Sequence, residues 1–290
     1  MAATRTAAID TTSVSAATAT AIEAAEARAW ADLYAAAPPE FAAGAGIATR
    51  VVAGALVIQW AATGRRYFSR VIGLGVVEPA TEAAVDDILV AYADAGVDMF
   101  LLQSLPHCRP REYELWLSER ALEPFDAQDR VARGGEPLDP AVAAELRGRD
   151  VVVERVTDAT AEEWSEFLQH VYRLDTGPWL PHLIGRPGWS QYVARRDGAL
   201  VAARGMYIDT HGMAWFGMDG PVPGVMTDDY GPDAALCAAM VEDGLALGAT
   251  AFLADIEAPS PDLDTPGYEY FGALGFTRPY VRTHYAPVTT

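Results

Sequence analysis

Asp228-Asp229-Tyr230-Gly231-Pro232-Asp233 stands between an apolar run, Trp215-Phe216-Gly217-Met218, and an Ala-rich stretch from Ala234 to Met240. Gly231 permits a tight turn, and Pro232 suits the first turn of a helix. Leu236, Met240 and Gly244 then recur at helical spacing, and a strand-like run, Ala249 to Ile256, follows. Strand, helix, strand predicts a right-handed crossover with a parallel pairing. The unpaired amides at the start of such a helix favour an anion, so the chemistry this place offers is the holding of a phosphate or carboxylate. Asp219, closing the first strand in Asp219-Gly220-Pro221, could take a proton from an amine, directly or through water. A plain turn aspartate is the other reading. Trp179, His182 and Trp189 fall in or beside an irregular Trp-, Pro- and His-rich segment, where they either line a pocket or pack in the core.

Other chemistries are poorly provided for. His107, His170, His182, His211 and His284 show no ligand spacing, so no metal is expected. There is no Gly-x-Ser-x-Gly elbow, and Gly44-Ala45-Gly46 follows no strand, unlike a dinucleotide motif. Cys108 and Cys237 are too few for a disulfide framework and form no Cys-x-x-Cys pair, which fits a reducing, cytoplasmic setting.

The 290 residues carry a net charge of −19, and every basic residue is Arg. Without Lys there is no Schiff-base chemistry and no P-loop lysine. An acidic chain also lacks the basic surface that nucleic acid or an anionic membrane requires. The longest uncharged apolar run, Val51 to Gly64, is too short to span a bilayer and reads as strand. The Ala- and Thr-rich start has no apolar core of a signal peptide.

The elements that must position these residues fall into two similar series. Residues 1–16 are expected to be disordered. Ile22, Glu26, Trp30, Leu33 and Tyr34 mark one helical face, ended by Pro38-Pro39. Thr49 to Trp60 reads as a hairpin or bulged strand and Arg70 to Val76 as a strand. Thr81 caps a helix ending at Gly96, Met99 to Gln103 is a strand, Glu112 to Arg120 a short helix, and Phe125 to Val131 a closing strand. Arg133-Gly134-Gly135-Glu136-Pro137 is the best break in the chain. Beyond it come a strand at Asp150 to Val156, a capping box at Thr160-Ala161-Glu162-Glu163 and a hairpin turning at Asp197-Gly198. Arg70–Phe125 and Met213–Phe276 share one order: strand, helix, parallel strand, short helix. The expected division is 17–134 and 150–290, with 135–149 as linker.

Residues 150–288 resemble the GNAT superfamily of acyl-CoA N-acyltransferases. The resemblance rests on the Asp197-Gly198 hairpin, the strand leading into an Ala-rich helix, and Ala273-Leu274-Gly275-Phe276 before the last strand. The first half resembles the degenerate copy of tandem GNAT proteins. The resemblance implies an α/β fold of mixed sheets in two tandem GNAT-like domains, with an acyl-CoA, such as acetyl-CoA, as co-substrate and a small-molecule amine as acceptor. A homodimer is an assembly it allows. Val222, Gly224, Tyr230, Gly231, Asp233 and Ala234 would then lie along the coenzyme, and Trp179, His182 and Trp189 along the acceptor. Many family members place a tyrosine acid five residues before the Phe of Leu-Gly-Phe. Here Phe271 stands there, so Tyr268, one turn back, is the proton donor to expect. A GNAT-fold enzyme that has left acyl-CoA for other chemistry, and a non-catalytic binding protein on the same scaffold, are the alternatives.

The family's pyrophosphate loop has the form Arg/Gln-x-x-Gly-x-Gly/Ala. In the matching register only Gly231 remains; Pro232 removes an amide, and Asp228 and Asp229 stand where the cations would be. A carboxylate about 5 Å from a phosphate, at an effective dielectric near 20, repels it by roughly 3 kcal/mol before screening. The helix terminus returns only about 0.3–2 kcal/mol. Acetyl-CoA is therefore expected to bind with a dissociation constant well above the usual substrate range. Asp228→Arg with Asp229→Gly is expected to tighten it, as calorimetry at low and physiological salt would register.

Overall fold

The structure is a computed structural model that describes residues 11–258 and 269–288. Residues 1–10 of the stretch expected to be disordered lie outside the described residues. The rest of that stretch is ordered: Thr12 donates its amide to the Arg278 carbonyl at 3.1 Å, and Ser15 caps the first helix.

In chain order the elements are α1 (Ala16–Ala35), α2 (Pro39–Ala45), β1 (Ile47–Val52), β2 (Ala55–Trp60), β3 (Arg70–Ile72), α3 (Glu82–Asp94), β4 (Leu101–Ser104), α4 (Tyr113–Glu119) and β5 (Leu122–Gly134). There follow α5 (Pro140–Arg147), β6 (Val151–Arg155), α6 (Ala161–Tyr172), β7 (Trp189–Arg196), β8 (Ala199–Ile208), β9 (Met213–Gly220), α7 (Gly231–Ala246), β10 (Ala251–Glu257), α8 (Glu269–Ala273) and β11 (Thr277–Pro287). The chain forms two compact units. One holds Ser13–Gln128 and the chain from Tyr280 on; the other holds Asp129–Pro279. The units part inside β5 and inside β11, and the expected linker, 135–149, includes α5.

In the first unit the strand order is β1-β2-β3-β4-β11-β5, with β3 and β4 parallel. Ala53 and Gly54 both take positive φ, the twist a two-residue hairpin needs between β1 and β2. β3 stops at Ile72 rather than Val76, because the chain turns left-handed at Gly73. The inner face of α1 is the expected one, Ile22, Glu26, Trp30, Leu33 and Tyr34. Glu26 is buried there with Glu23, and both carboxylates are paired by the buried Arg282 of β11. An amphipathic face carrying two acids can only be buried if a cation meets it.

In the second unit the order is β5-β10-β9-β8-β7-β6, with β9 and β10 parallel. Asp197 and Gly198, both at positive φ, turn β7 into β8. The capping box at α6 does not form. The Thr160 hydroxyl instead accepts the Thr157 amide at 3.0 Å, and Glu163 is drawn out to Arg195. α7 lies on one sheet face, where Leu236, Cys237, Met240 and Val241 meet Tyr192, Met206, Phe216 and Phe252. Gly231, expected to make the turn, is the first residue of that helix.

Gly244 lets α7 approach the sheet. A methyl group on it would stand 2.5 Å from Cε1 of the buried Phe252 and 3.2 Å from Sδ of Met206. Gly244→Ala gains about 1 kcal/mol of helix propensity and loses about 1–3 kcal/mol to overpacking. The clash is expected to win, lowering the urea midpoint followed by far-ultraviolet circular dichroism.

Candidate functional site

β9 and β10 pair through Met213↔Ala251, Ala214↔Phe252 and Trp215↔Leu253. Both strands run on, β9 to Gly220 and β10 to Glu257, with no further register between them among the described residues. They therefore open, leaving the edge of β9 from Phe216 onward free on that side. On its other side β9 keeps pairing with β8, and there it is bulged. The register runs Gly205↔Gly217 and Ala203↔Gly220, so Met218 and Asp219 both face Arg204 alone. Met218 takes φ +55° to do so. A bulge re-aims a side chain, and here it brings the Asp219 carboxylate to Arg204, Oδ2 to Nη2 at 3.1 Å.

Arg204 is the centre of the site. Its guanidinium grips Asp233 through two bonds, Nε to Oδ1 at 2.8 Å and Nη2 to Oδ2 at 3.1 Å. Such fork-to-fork pairing fixes direction as well as charge. Tyr270 of α8 donates its hydroxyl to the same Asp233 carboxylate, Cys237 lies 3.9 Å from it through Sγ, and the Phe271 ring flanks the guanidinium. Arg204, Asp233, Cys237 and Tyr270 are all buried. Burial lifts the Asp233 carboxyl above its ordinary range, with nearby Asp219 adding to the effect while Arg204 and Tyr270 oppose it. Burial likewise raises the Cys237 thiol, keeping it an inert thiol, and the Tyr270 phenol, keeping it protonated. Asp219 differs from these: a quarter of its side chain (25%) is exposed. Tyr172 of α6 holds it from behind by donating its hydroxyl to the Asp219 carbonyl.

The loop before α7 is closed on itself. Met226 donates its amide to Val222 at 2.8 Å and Gly224 to Thr227 at 2.9 Å. Asp229 Oδ1 accepts the Gly231 amide at 3.2 Å, and its other oxygen lies 2.5 Å from Nη1 of Arg196. Arg196 also holds Asp150 at 2.8 Å. The bond to Arg196 keeps the Asp229 carboxyl below the usual carboxylate range, so it stays charged at neutral pH. Asp228 is exposed beside it.

Of the residues singled out in the sequence, the structure brings Asp219 and Asp233 together and places Val222, Gly224, Tyr230, Gly231 and Ala234 along the loop and first turn of α7. Asp233, expected along the coenzyme, points inward to Arg204, and Asp229 accepts the Gly231 amide. Trp179 and Trp189 are buried, Trp189 against Tyr207 and Trp215, while His182 is exposed. Trp189 begins β7, whereas Arg196, which reaches the loop, ends it. Tyr268 lies outside the described residues. The neighbouring Tyr270 is the tyrosine that joins the buried cluster. Arg204 had a legible signal, being the one charged residue in Leu200 to Ile208; Tyr172 had none. Among the described residues no group of His, Cys, Asp or Glu is placed to hold a metal ion, and no helix is long and apolar enough to cross a membrane.

No family model and no curated protein matches the sequence. Solved structures do. A GCN5-related N-acetyltransferase from Kribbella flavida is 16% identical, covers 93% of this chain over 96% of its own, and superposes with a TM-score of 0.58. A tandem GNAT protein from the clavulanic acid biosynthesis pathway, solved without AcCoA, is 14% identical over 81% of this chain and 78% of its own, with a TM-score of 0.50. At such identities the likeness is one of fold.

Removing one member of a buried pair strands the other. Arg204→Met leaves Asp233 buried without its cation and is expected to cost about 3–5 kcal/mol. Arg204→Met with Asp233→Leu should recover a large part of that loss. Urea unfolding of the wild type, both single variants and the double variant measures the coupling as a cycle.

Proposed function

We propose that this chain, whose fold is that of tandem GNAT proteins, transfers an acyl group from a thioester to the amine of a small molecule, at the opening between β9 and β10. The observation that carries this reading is the placement of Asp219. The β-bulge turns this partly exposed carboxylate to Arg204, on the stretch of β9 beyond its last paired residue with β10. An acyl thioester laid along the free edge of β9 would have backbone amides to hydrogen-bond its carbonyl, and polarising that oxygen favours attack.

The residues then divide the work. Asp219 accepts the proton that the amine loses as its nitrogen bonds to the acyl carbon. Arg204 holds Asp219 in place and, being saturated by two carboxylates, does not itself meet the substrate. As the carbon–sulfur bond breaks, the thiolate needs a proton. The Tyr270 proton is already committed to Asp233, so we assign the donor role to Tyr268. Acyl-CoA is the co-substrate that the fold suggests, and its two halves fare differently here. The strand opening suits an extended pantetheine arm. The α7 terminus does not suit the diphosphate, because Asp229 already occupies the Gly231 amide and Arg196.

Loss of a general acid or base costs ~100-fold or more. Asp219→Asn and Tyr268→Phe are each expected to lower kcat/KM by about that factor, read as thiol release with a panel of small amines. Tyr270→Phe should act chiefly on stability, seen in the unfolding midpoint. Turnover of Asp219→Asn within about twofold of wild type would remove the carboxylate from the mechanism, since the expected loss is far larger.

A further inference from the structure

We infer that the acyl donor is recognised through its acyl-pantetheine part and not through a nucleotide, a conclusion that rests on the acyl-transfer reading above. A diphosphate at a helix start needs free amides and a surplus of positive charge. Along Val222 to Asp233 five amides are already committed, and the charge is negative. Pro223 and Pro232 have no amide to give. The amides of Gly224, Val225 and Met226 are spent on carbonyls within the loop. That of Asp229 goes to the Thr227 hydroxyl at 3.1 Å, and that of Gly231 to Asp229 itself. Among the described residues the guanidinium bonded to the loop, Arg196, is held between Asp150 and Asp229, and Asp228 stands exposed next to them. Three carboxylates against one cation leave the loop negative where the nucleotide's phosphates would arrive. Arg195, the neighbouring cation, is engaged by Glu154 and Glu163. Arg204 is buried in its own pair.

None of this touches the opening between β9 and β10, where a neutral amide-bearing arm can lie along the strand edge. The chemistry is unchanged: the acyl carbon exchanges its sulfur for the amine nitrogen, and the thiol leaves with a proton. Only the handle differs. The donor is accordingly a thioester on a pantetheine arm, free or carried by a protein.

The test compares kcat/KM for three donors bearing the same acyl group: acyl-CoA, acyl-S-pantetheine, and the acyl phosphopantetheine of a carrier protein, against the same amine panel. The full chain is used at two ionic strengths. Acyl-S-pantetheine is expected to match or exceed acyl-CoA, and the acyl-CoA value to rise with salt as repulsion is screened. A preference for the carrier-bound donor over the free one also supports the inference and identifies its source. Asp228→Arg with Asp229→Gly should shift the acyl-CoA to acyl-S-pantetheine ratio upward by about tenfold or more, the factor for one good charged contact. A wild-type preference for acyl-CoA above about tenfold, falling with salt, overturns the inference and leaves acyl transfer standing. No turnover of any thioester overturns the acyl-transfer reading, and the inference with it.

Discussion

The buried pair of Arg204 and Asp233 is the contact on which the second unit depends. Each ion loses its water on burial, at a cost of several kcal/mol, and only a well-aligned partner offsets it. The alignment demands that β8, the first turn of α7 and α8 arrive together, since Arg204, Asp233 and Tyr270 come one from each. The apolar side chains of α7 would tolerate a small slide over the sheet. A bidentate guanidinium–carboxylate pair does not, because a shift of one residue would bury both charges unpaired. The pair therefore supplies direction to a core whose attraction is otherwise non-directional. The first unit uses the same device, with Arg282 between Glu23 and Glu26 under α1.

That pair also shapes the site. Arg204 Nη2, which bonds Asp233 from the α7 side, also reaches across the bulge to Asp219. The site thus contains a carboxylate oriented by a cation that is itself immobile. The cost falls on the helix terminus. Its inner carboxylate is turned to the core, its outer one caps Gly231, and the terminus faces solvent already supplied with negative charge. A helix start is an anion site only while its amides are unspent.

Much of this was legible in the chain. Asp197-Gly198 marked its hairpin because left-handed backbone at two consecutive residues tolerates few other residues. The face of α1 and the crossover from β9 through α7 to β10 followed from periodicity. Two of the departures from expectation share one cause. Thr160 and Glu163 have the spacing of a capping box, but a nearby arginine from β7 outcompeted the local bond for Glu163. Asp233, expected along the coenzyme, was taken instead by an arginine 29 residues earlier in sequence. Polar side chains near a helix start choose between local and distant partners, and charge decides in favour of the distant arginine.

The sequence by itself determined the strand, helix, parallel strand order of each half, the Asp197-Gly198 turn, the absence of lysine and the acidity of the loop before Gly231. These are properties of residue type and short-range sterics, which act within a turn or two of chain. Only the tertiary structure decided that β9 bulges at Met218, that Asp219 and Asp233 share one guanidinium, and that Tyr270 enters the cluster. Tyr172 behind Asp219 belongs with them. Each is a meeting of residues far apart in sequence, and hydrogen-bond geometry between such residues is set by how the elements pack, which no local spacing encodes.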